Sequence, residues 1–288
     1  MKQLLTGAGG FVAPYAAQAF AARVAGVGIV ASSHRGGPAS GFEQTLALDV
    51  ADPDAAWRIN VPGALTLGRA ILRASPQTIL LNAGSAYGDS ANRFEALDEE
   101  AAFAPADEYG ATKAAADLGL GAMTKRGLKL VRLRPFNHTG PGQNEDYVAP
   151  AFAAQIAAIE VGERAPVLKV GNLEAERDFC NVRDVSDAYA LAAIAASEGR
   201  IAPGRAFNLC SGRAVKMRAL LDMLLKMARV EVRIEQDPAR MRGSDIPRIA
   251  GDPRRAEAEL GWRAAIPLET TLADLLAHER ARIRVRER

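Results

Sequence analysis

The chain has 288 residues, enough for one large α/β domain or for a domain with a smaller companion. Its formal net charge of +2 supplies no overall field for nucleic acid or a membrane surface, and no stretch is apolar for long enough to cross a bilayer. The two cysteines, Cys180 and Cys210, show neither metal-ligand nor disulfide-framework spacing, which points to a reducing compartment.

Gln3–Thr6 reads as a short buried strand that runs directly into Gly7-Ala8-Gly9-Gly10-Phe11-Val12-Ala13. This leaves no room for a signal peptide and predicts a cytoplasmic protein. An Ala-rich helix follows, with Pro14 tolerated in its first turn. In a strand–turn–helix setting, Gly7 allows the tight turn and Gly10 lets the backbone approach a pyrophosphate. Ala13 permits close packing of helix on strand, and the helix N-terminus then faces phosphates. Gly28–Ala31 should be the second strand, ending in Ser32-Ser33-His34-Arg35. A site for NAD(H) usually places an acid here for the ribose hydroxyl, and this chain has none. Ser33 and Arg35 suit a 2′-phosphate, so NADP(H) is expected, with NAD(H) as the alternative.

Thr45–Leu48 is a third expected strand, and Asp49 is placed to meet the adenine. Only ten residues then separate Asp49 from Asn60, whereas a strand–helix–strand crossover needs about 30. A central strand is therefore missing, through a real deletion or through numbering closed over missing residues; the second is the expectation, because losing a central parallel strand would leave a gap in the sheet. A helical pattern runs from Ala55 to Ala74, and Thr78–Leu81 is the next buried strand. After the polar residues Asp98, Glu99 and Glu100 comes a helix holding Tyr109-Gly110-Ala111-Thr112-Lys113. Four residues make about one turn, so the phenol and the ammonium share a face. A nearby cation lowers a phenol pKa, making Tyr109 a proton donor or acceptor near neutral pH. Ala111, Ala114, Ala115, Leu118 and Ala122 line one side, suited to a core or to a subunit interface. Lys129–Arg134 is the following strand, and beyond Pro135 the pattern breaks into shorter pieces. Arg280, Arg282, Arg284, Arg286 and Arg288 read as a solvated helix end.

These motifs resemble the extended short-chain dehydrogenase/reductase family (the NAD-dependent epimerase/dehydratase family), which acts on nucleotide sugars. The most specific stretches are Arg134–Gln143, Lys169–Glu174, Arg177–Phe179, Val182–Val185, Phe207–Gly212 and Asp237–Arg242, and they are similar to the GDP-sugar members. The resemblance implies a Rossmann-type doubly wound parallel sheet with a smaller C-terminal substrate-binding α/β region. Residues 1–135 would form the NADP-binding domain, including the Tyr/Lys helix. Residues 136–288 would mainly bind the nucleotide sugar, with some segments returning to the sheet. The implied activity is NADPH-dependent reduction of a nucleotide-linked 4-keto-6-deoxy sugar, GDP-4-keto-6-deoxy-D-mannose to GDP-D-rhamnose.

In that scheme Tyr109 protonates the developing alkoxide. Lys113 lowers the Tyr109 pKa and holds the nicotinamide ribose, and Ser85 hydrogen-bonds the keto oxygen. The family usually carries this Ser/Thr four residues before the pair matching Tyr87-Gly88. Here that position is Ala83, and Ser85 is the nearest hydroxyl. The cofactor set is Gly7, Gly10, Phe11, Val12, Ser33, Arg35, Asp49, Asn60, Tyr109 and Lys113. Toward the nucleotide sugar, Asn137 would bond the diphosphate, and Arg177 and Arg242 would meet phosphate oxygens. Asp245 would accept from a ribose hydroxyl, and Val170 and Asn172 would line the base pocket. No metal is expected. His138, with no acid or metal partner in sequence, reads as structural, and a homodimer through the Tyr109–Lys113 helix is expected. The rival readings are a nucleotide-sugar 4-epimerase, a 4,6-dehydratase and a non-catalytic nucleotide-binding protein. The dehydratase reading lacks an acid after Ser85, where Ala86 and Tyr87 stand.

Overall fold

A computed structural model describes residues 2–6, 11–24, 28–32, 53–86, 96–241 and 246–286. The expectations for Gly7, Gly10, Ser33, Arg35, the Thr45–Leu48 strand with Asp49, Arg242 and Asp245 lie outside the described residues. Strand β1 (Lys2–Thr6), helix α1 (Ala13–Arg23) and strand β2 (Gly28–Ser32) form a parallel strand–helix–strand unit, with Lys2 opposite Gly28 and Thr6 opposite Ser32. Next comes a helical run made of α2 (Pro53–Arg58), a π-helical turn Ile59–Gly63 and α3 (Ala64–Ala74). The single helix expected over Ala55–Ala74 is thus interrupted. Pro62 has no N–H for the Arg58 carbonyl, and the Ala64 N–H reaches back five residues to the Ile59 carbonyl instead.

Strand β3 (Ile79–Ala83) pairs in parallel with β4 (Lys129–Pro135), and α4 (Glu108–Met123) lies between them in sequence. Beyond β4 come β5 (Asn137–Thr139), α5 (Val148–Glu160), β6 (Val167–Val170), β7 (Glu176–Asn181) and α6 (Val182–Ser197). The chain then returns to the first sheet as β8 (Arg205–Leu209), parallel to β4. The remainder is β9 (Ala214–Lys216), α7 (Met217–Met227), β10 (Arg233–Gln236), β11 (Arg248–Ile249), α8 (Arg254–Leu260) and α9 (Leu268–Arg286). Outside that sheet β6 pairs with β10, while β7 pairs with β5, β11 and β9.

Among the described residues no strand joins β1 to β3: one sheet is β1–β2 and another is β3–β4–β8. The short spacing between Asp49 and Asn60 falls next to residues 33–52, which lie outside the described residues. Helices bridge the two sheets. Ala16 and Phe20 of α1 enter the same core as Val131 and Leu133 of β4 and Val185, Ala188 and Ala192 of α6. A second core joins α5, α7 and α9 through Phe152, Ile156, Leu221, Leu224, Leu272 and Leu276. The buried amide of Gln155 fixes α5 to β6, donating to the Lys169 carbonyl at 3.1 Å and accepting from its N–H at 3.0 Å. The basic tail is more engaged than a solvated helix end. Arg280 pairs with Glu160 at 2.6 Å and donates to the Met227 carbonyl at 2.8 Å, and Arg282 pairs with Glu145 and Glu279.

Helix α4 is held on β4 by charge. Arg132 and Arg134 alternate along the strand and so point to one face. Asp117, fully buried, accepts from Arg132 at 2.9 Å and from Arg134 at 3.1 Å through both carboxylate oxygens. Arg134 also donates to the Glu99 carbonyl at 2.8 Å and lies 4.7 Å over the Phe103 ring. Removing one member of such a buried set strands the others without a counter-charge, at about 3–5 kcal/mol. Asp117→Ala is therefore expected to lose that much in urea unfolding. A loss below about 1 kcal/mol, the worth of an exposed pair, would contradict the clamp.

Candidate active site

The turn of α4 that carries Tyr109 and Lys113 is braced from three sides. Asp107 caps it, its carboxylate accepting from the Gly110 N–H at 2.6 Å. Thr112, buried, donates to the Tyr109 carbonyl at 2.8 Å and accepts from the Asn60 amide at 2.9 Å. The Trp57 indole donates to Glu108 at 2.6 Å. Asn60, expected at the cofactor, sits in the π turn, and one amide N–H is engaged with Thr112. The inner face of α4 is made by Ala114, Ala116, Leu120 and Met123, against Leu128 and Leu130. Of the side expected to be uniformly apolar, Ala114 is buried whereas Leu118 is 58% exposed.

The electrostatics differ from the expectation. Tyr109 is 56% exposed, yet the protein around it raises its phenol above the usual value. Desolvation is the main cause, followed by the Tyr147 phenol and the Asp107 carboxylate. Burial pushes the Lys113 ammonium down. The expected lowering of Tyr109 by Lys113 is therefore not the direction found: burial dominates at both groups.

Ser85 lies just past the carboxyl end of β3, where the Gly84 N–H donates to the Leu133 carbonyl at 2.7 Å and ties that end to β4. Half-buried Ser85 is thus at the strand ends where open parallel sheets bind ligands. Ala86, Phe103, Arg134, Phe136 and Asn208 line a small hollow beside it. Phe11 and Val12 stand at the start of α1, whose first turn has no side-chain cap and no acidic residue.

Asn137 is exposed at the start of β5, opposite Phe179 of β7, and Arg177 lies two residues earlier on β7. Arg177 donates to the Glu176 carbonyl at 2.9 Å. Val170 is buried in the second core; its carbonyl accepts from the Asp237 N–H at 2.8 Å. A side chain at Gly171 would meet the Arg240 carbonyl at 2.4 Å, so a glycine lets these two loops touch. The Asn172 carboxamide accepts from the Glu174 N–H at 2.9 Å. Asn137, Arg177 and Val170 thus stand on β5, β7 and β6, and Tyr109 and Lys113 on α4.

Sequence reasoning missed Asp117 and Asp178. Asp178, fully buried with no cation bonded to it by hydrogen bond or ion pair among the described residues, accepts from Ser211 N–H (2.8 Å), Ser211 Oγ (2.6 Å), Gly212 N–H (2.9 Å) and Gly251 N–H (3.3 Å). Desolvation raises its pKa despite these donors. A lone acid in the Ala-Leu face of α4, matched to alternating arginines on the next strand, was the available signal for Asp117. His138 agrees with its structural reading: its Nδ1 bonds the Phe136 carbonyl at 2.9 Å. Among the described residues no cluster of His, Cys, Asp or Glu could hold a metal ion, and no helix is long and apolar enough to cross a membrane.

The fold agrees with the comparisons. A family model described as GDP-mannose 4,6 dehydratase matches residues 43–275, and the chain belongs to this family of extended short-chain dehydrogenases/reductases. It is 36% identical over 236 residues to GDP-6-deoxy-D-mannose reductase of Pseudomonas aeruginosa, covering 81% of this chain and 76% of that protein. Among solved structures, RMD from Pseudomonas aeruginosa complexed with NADPH matches with a TM-score of 0.82 and 28% identity, over 98% of this chain and 99% of that one. A putative epimerase from Burkholderia cenocepacia matches with a TM-score of 0.81 and 28% identity, over 97% and 98% of the two chains.

The raised phenol sets a titration. A group whose neutral form is favoured by burial keeps its proton to higher pH, so ligand-free Tyr109 should ionise only above about pH 10. Ultraviolet difference titration of the wild type against Tyr109→Phe reads this directly. A Tyr109 transition below about pH 9 would contradict the assignment.

Proposed function

We propose that the chain reduces GDP-4-keto-6-deoxy-D-mannose to GDP-D-rhamnose with NADPH. The observation that carries this reading is the 36% identity to a GDP-6-deoxy-D-mannose reductase over most of both chains. The residues present fit the cofactor. The uncapped, acid-free first turn of α1 leaves backbone N–H groups and a positive helix end for a diphosphate. NADPH, when bound, supplies the hydride that reduces the C4 carbonyl.

The chain's own groups do the rest. Tyr109, kept protonated by its surroundings, gives its proton to the C4 oxygen. Ser85 donates to the same oxygen and stabilises the charge that develops there. Lys113 favours loss of the Tyr109 proton once charge moves. Phe11, Val12 and the glycines before them would hold the dinucleotide, with Ser33 and Arg35 toward a 2′-phosphate. Asn137, Arg177 and Arg242 would bind the sugar diphosphate, Asp245 the ribose, and Val170 and Asn172 the base. Residues 1–135 and 136–288 would divide these duties. A homodimer through α4 is supported by exposed Leu118 on that helix, and a cytoplasmic setting by two free, buried cysteines. A 4,6-dehydratase is the second reading, since the family model bears that name; Ala86 after Ser85 leaves it without a proton-abstracting acid.

Mixing enzyme, NADPH and the 4-keto sugar should oxidise NADPH in step with product. Tyr109→Phe should lower kcat by about 10²–10⁴-fold, the usual worth of a general acid, while NADPH affinity changes little. Full turnover in that variant, or conversion of GDP-mannose without net NADPH consumption, would overturn the reading.

A further inference from the structure

The turn that follows the glycines touches the sugar loop directly. Phe11 comes immediately after Gly10, and its ring stacks on His138 with centroids 6.2 Å apart and planes 9° from parallel. The same ring meets Tyr15 edge-on at 5.8 Å and 72°. Tyr15, in the first turns of α1, donates its hydroxyl to the Pro141 carbonyl at 2.8 Å, across 126 residues of sequence. Two contacts therefore bind the start of α1 to the loop between β5 and α5.

That loop is braced by its own bonds. A carbonyl can only accept, so the His138 Nδ1 carries its proton toward the Phe136 oxygen. Burial pushes the imidazole pKa down and keeps the ring neutral. The Gln143 amide donates to the His138 carbonyl at 3.1 Å. Two polar atoms of the loop are nevertheless buried and unpartnered: Thr139 Oγ1 and Gln143 Oε1, on residues 1% and 8% exposed. Burying such atoms without a partner is costly, and it marks a segment with hydrogen-bonding capacity left for a ligand.

We propose that Phe11, Tyr15 and His138 are positioning residues that link the two nucleotide sites, so that NADP(H) on the glycine turn and a GDP-sugar on the loop each tighten the other. The inference rests on the functional reading above. A dinucleotide on the N-terminus of α1 orders the turn bearing Phe11 and with it the ring that backs His138. The loop is then partly fixed before the sugar nucleotide arrives, and the second ligand has less to order. Because linkage is reciprocal, GDP must raise NADP⁺ affinity by the same factor.

Isothermal titration of GDP, with and without saturating NADP⁺, measures this without turnover. The wild type should bind GDP at least about 5-fold more tightly when NADP⁺ is present, the lower end of measured couplings. Tyr15→Phe keeps the ring and removes only the bond to Pro141, and it should bring the ratio below about 2-fold. A loss of structure alone would weaken binding without abolishing the ratio. If Tyr15→Phe does not fold, His138→Leu, which removes the stack and leaves Tyr15 in place, must reduce the ratio likewise. Binding of both nucleotides with a ratio near one, or an unchanged ratio in the variants, overturns the coupling. Absence of binding by either nucleotide overturns the functional reading beneath it.

Discussion

One buried carboxylate sets where the chemistry can happen. Asp117 meets two arginines of β4 with no access to water, and a charge that deep persists only when fully paired. The pairing fixes the rotation of α4 about its axis. Lys113 is one turn before Asp117 and Tyr109 two turns before, so all three share a side of the helix. The same Arg134 holds the Glu99 carbonyl, and the Glu99 carboxylate accepts from the Asn208 N–H at 2.8 Å. Helix, strand, preceding loop and the neighbouring strand β8 are thus one charge-braced unit.

Much of this was legible in the residues. The strands at Gln3–Thr6, Gly28–Ala31, Thr78–Leu81 and Lys129–Arg134 are short apolar runs with clear turn signals, and each appears within a residue or two of its expected bounds. The Tyr109–Lys113 helix was readable because four-residue spacing has one structural meaning. The π turn was not, since Pro62 could equally have ended a helix as widened it. Nor was the direction of the Tyr109 shift, which depends on how burial weighs against a cation and so on the packed environment. Asp178 was invisible for a related reason: a buried acid is recognised by its partners, and those partners come from distant segments.

The short spacing after Asp49 was the one sequence anomaly with an architectural echo. With β1 and β3 in separate sheets among the described residues, continuity between the halves passes through α1 and α6. The start of α1 also meets β5 and the loop after it, through Phe11 on His138 and Tyr15 on Pro141.

The central claim is hydride delivery to a sugar carbonyl at a site where Tyr109 completes the alcohol. The most direct test is to supply NADPH bearing deuterium at the transferred position and to read the product by NMR. The account predicts one deuterium at C4 of the sugar and none elsewhere. Product without label at C4, or label at C5 or C6, would contradict it.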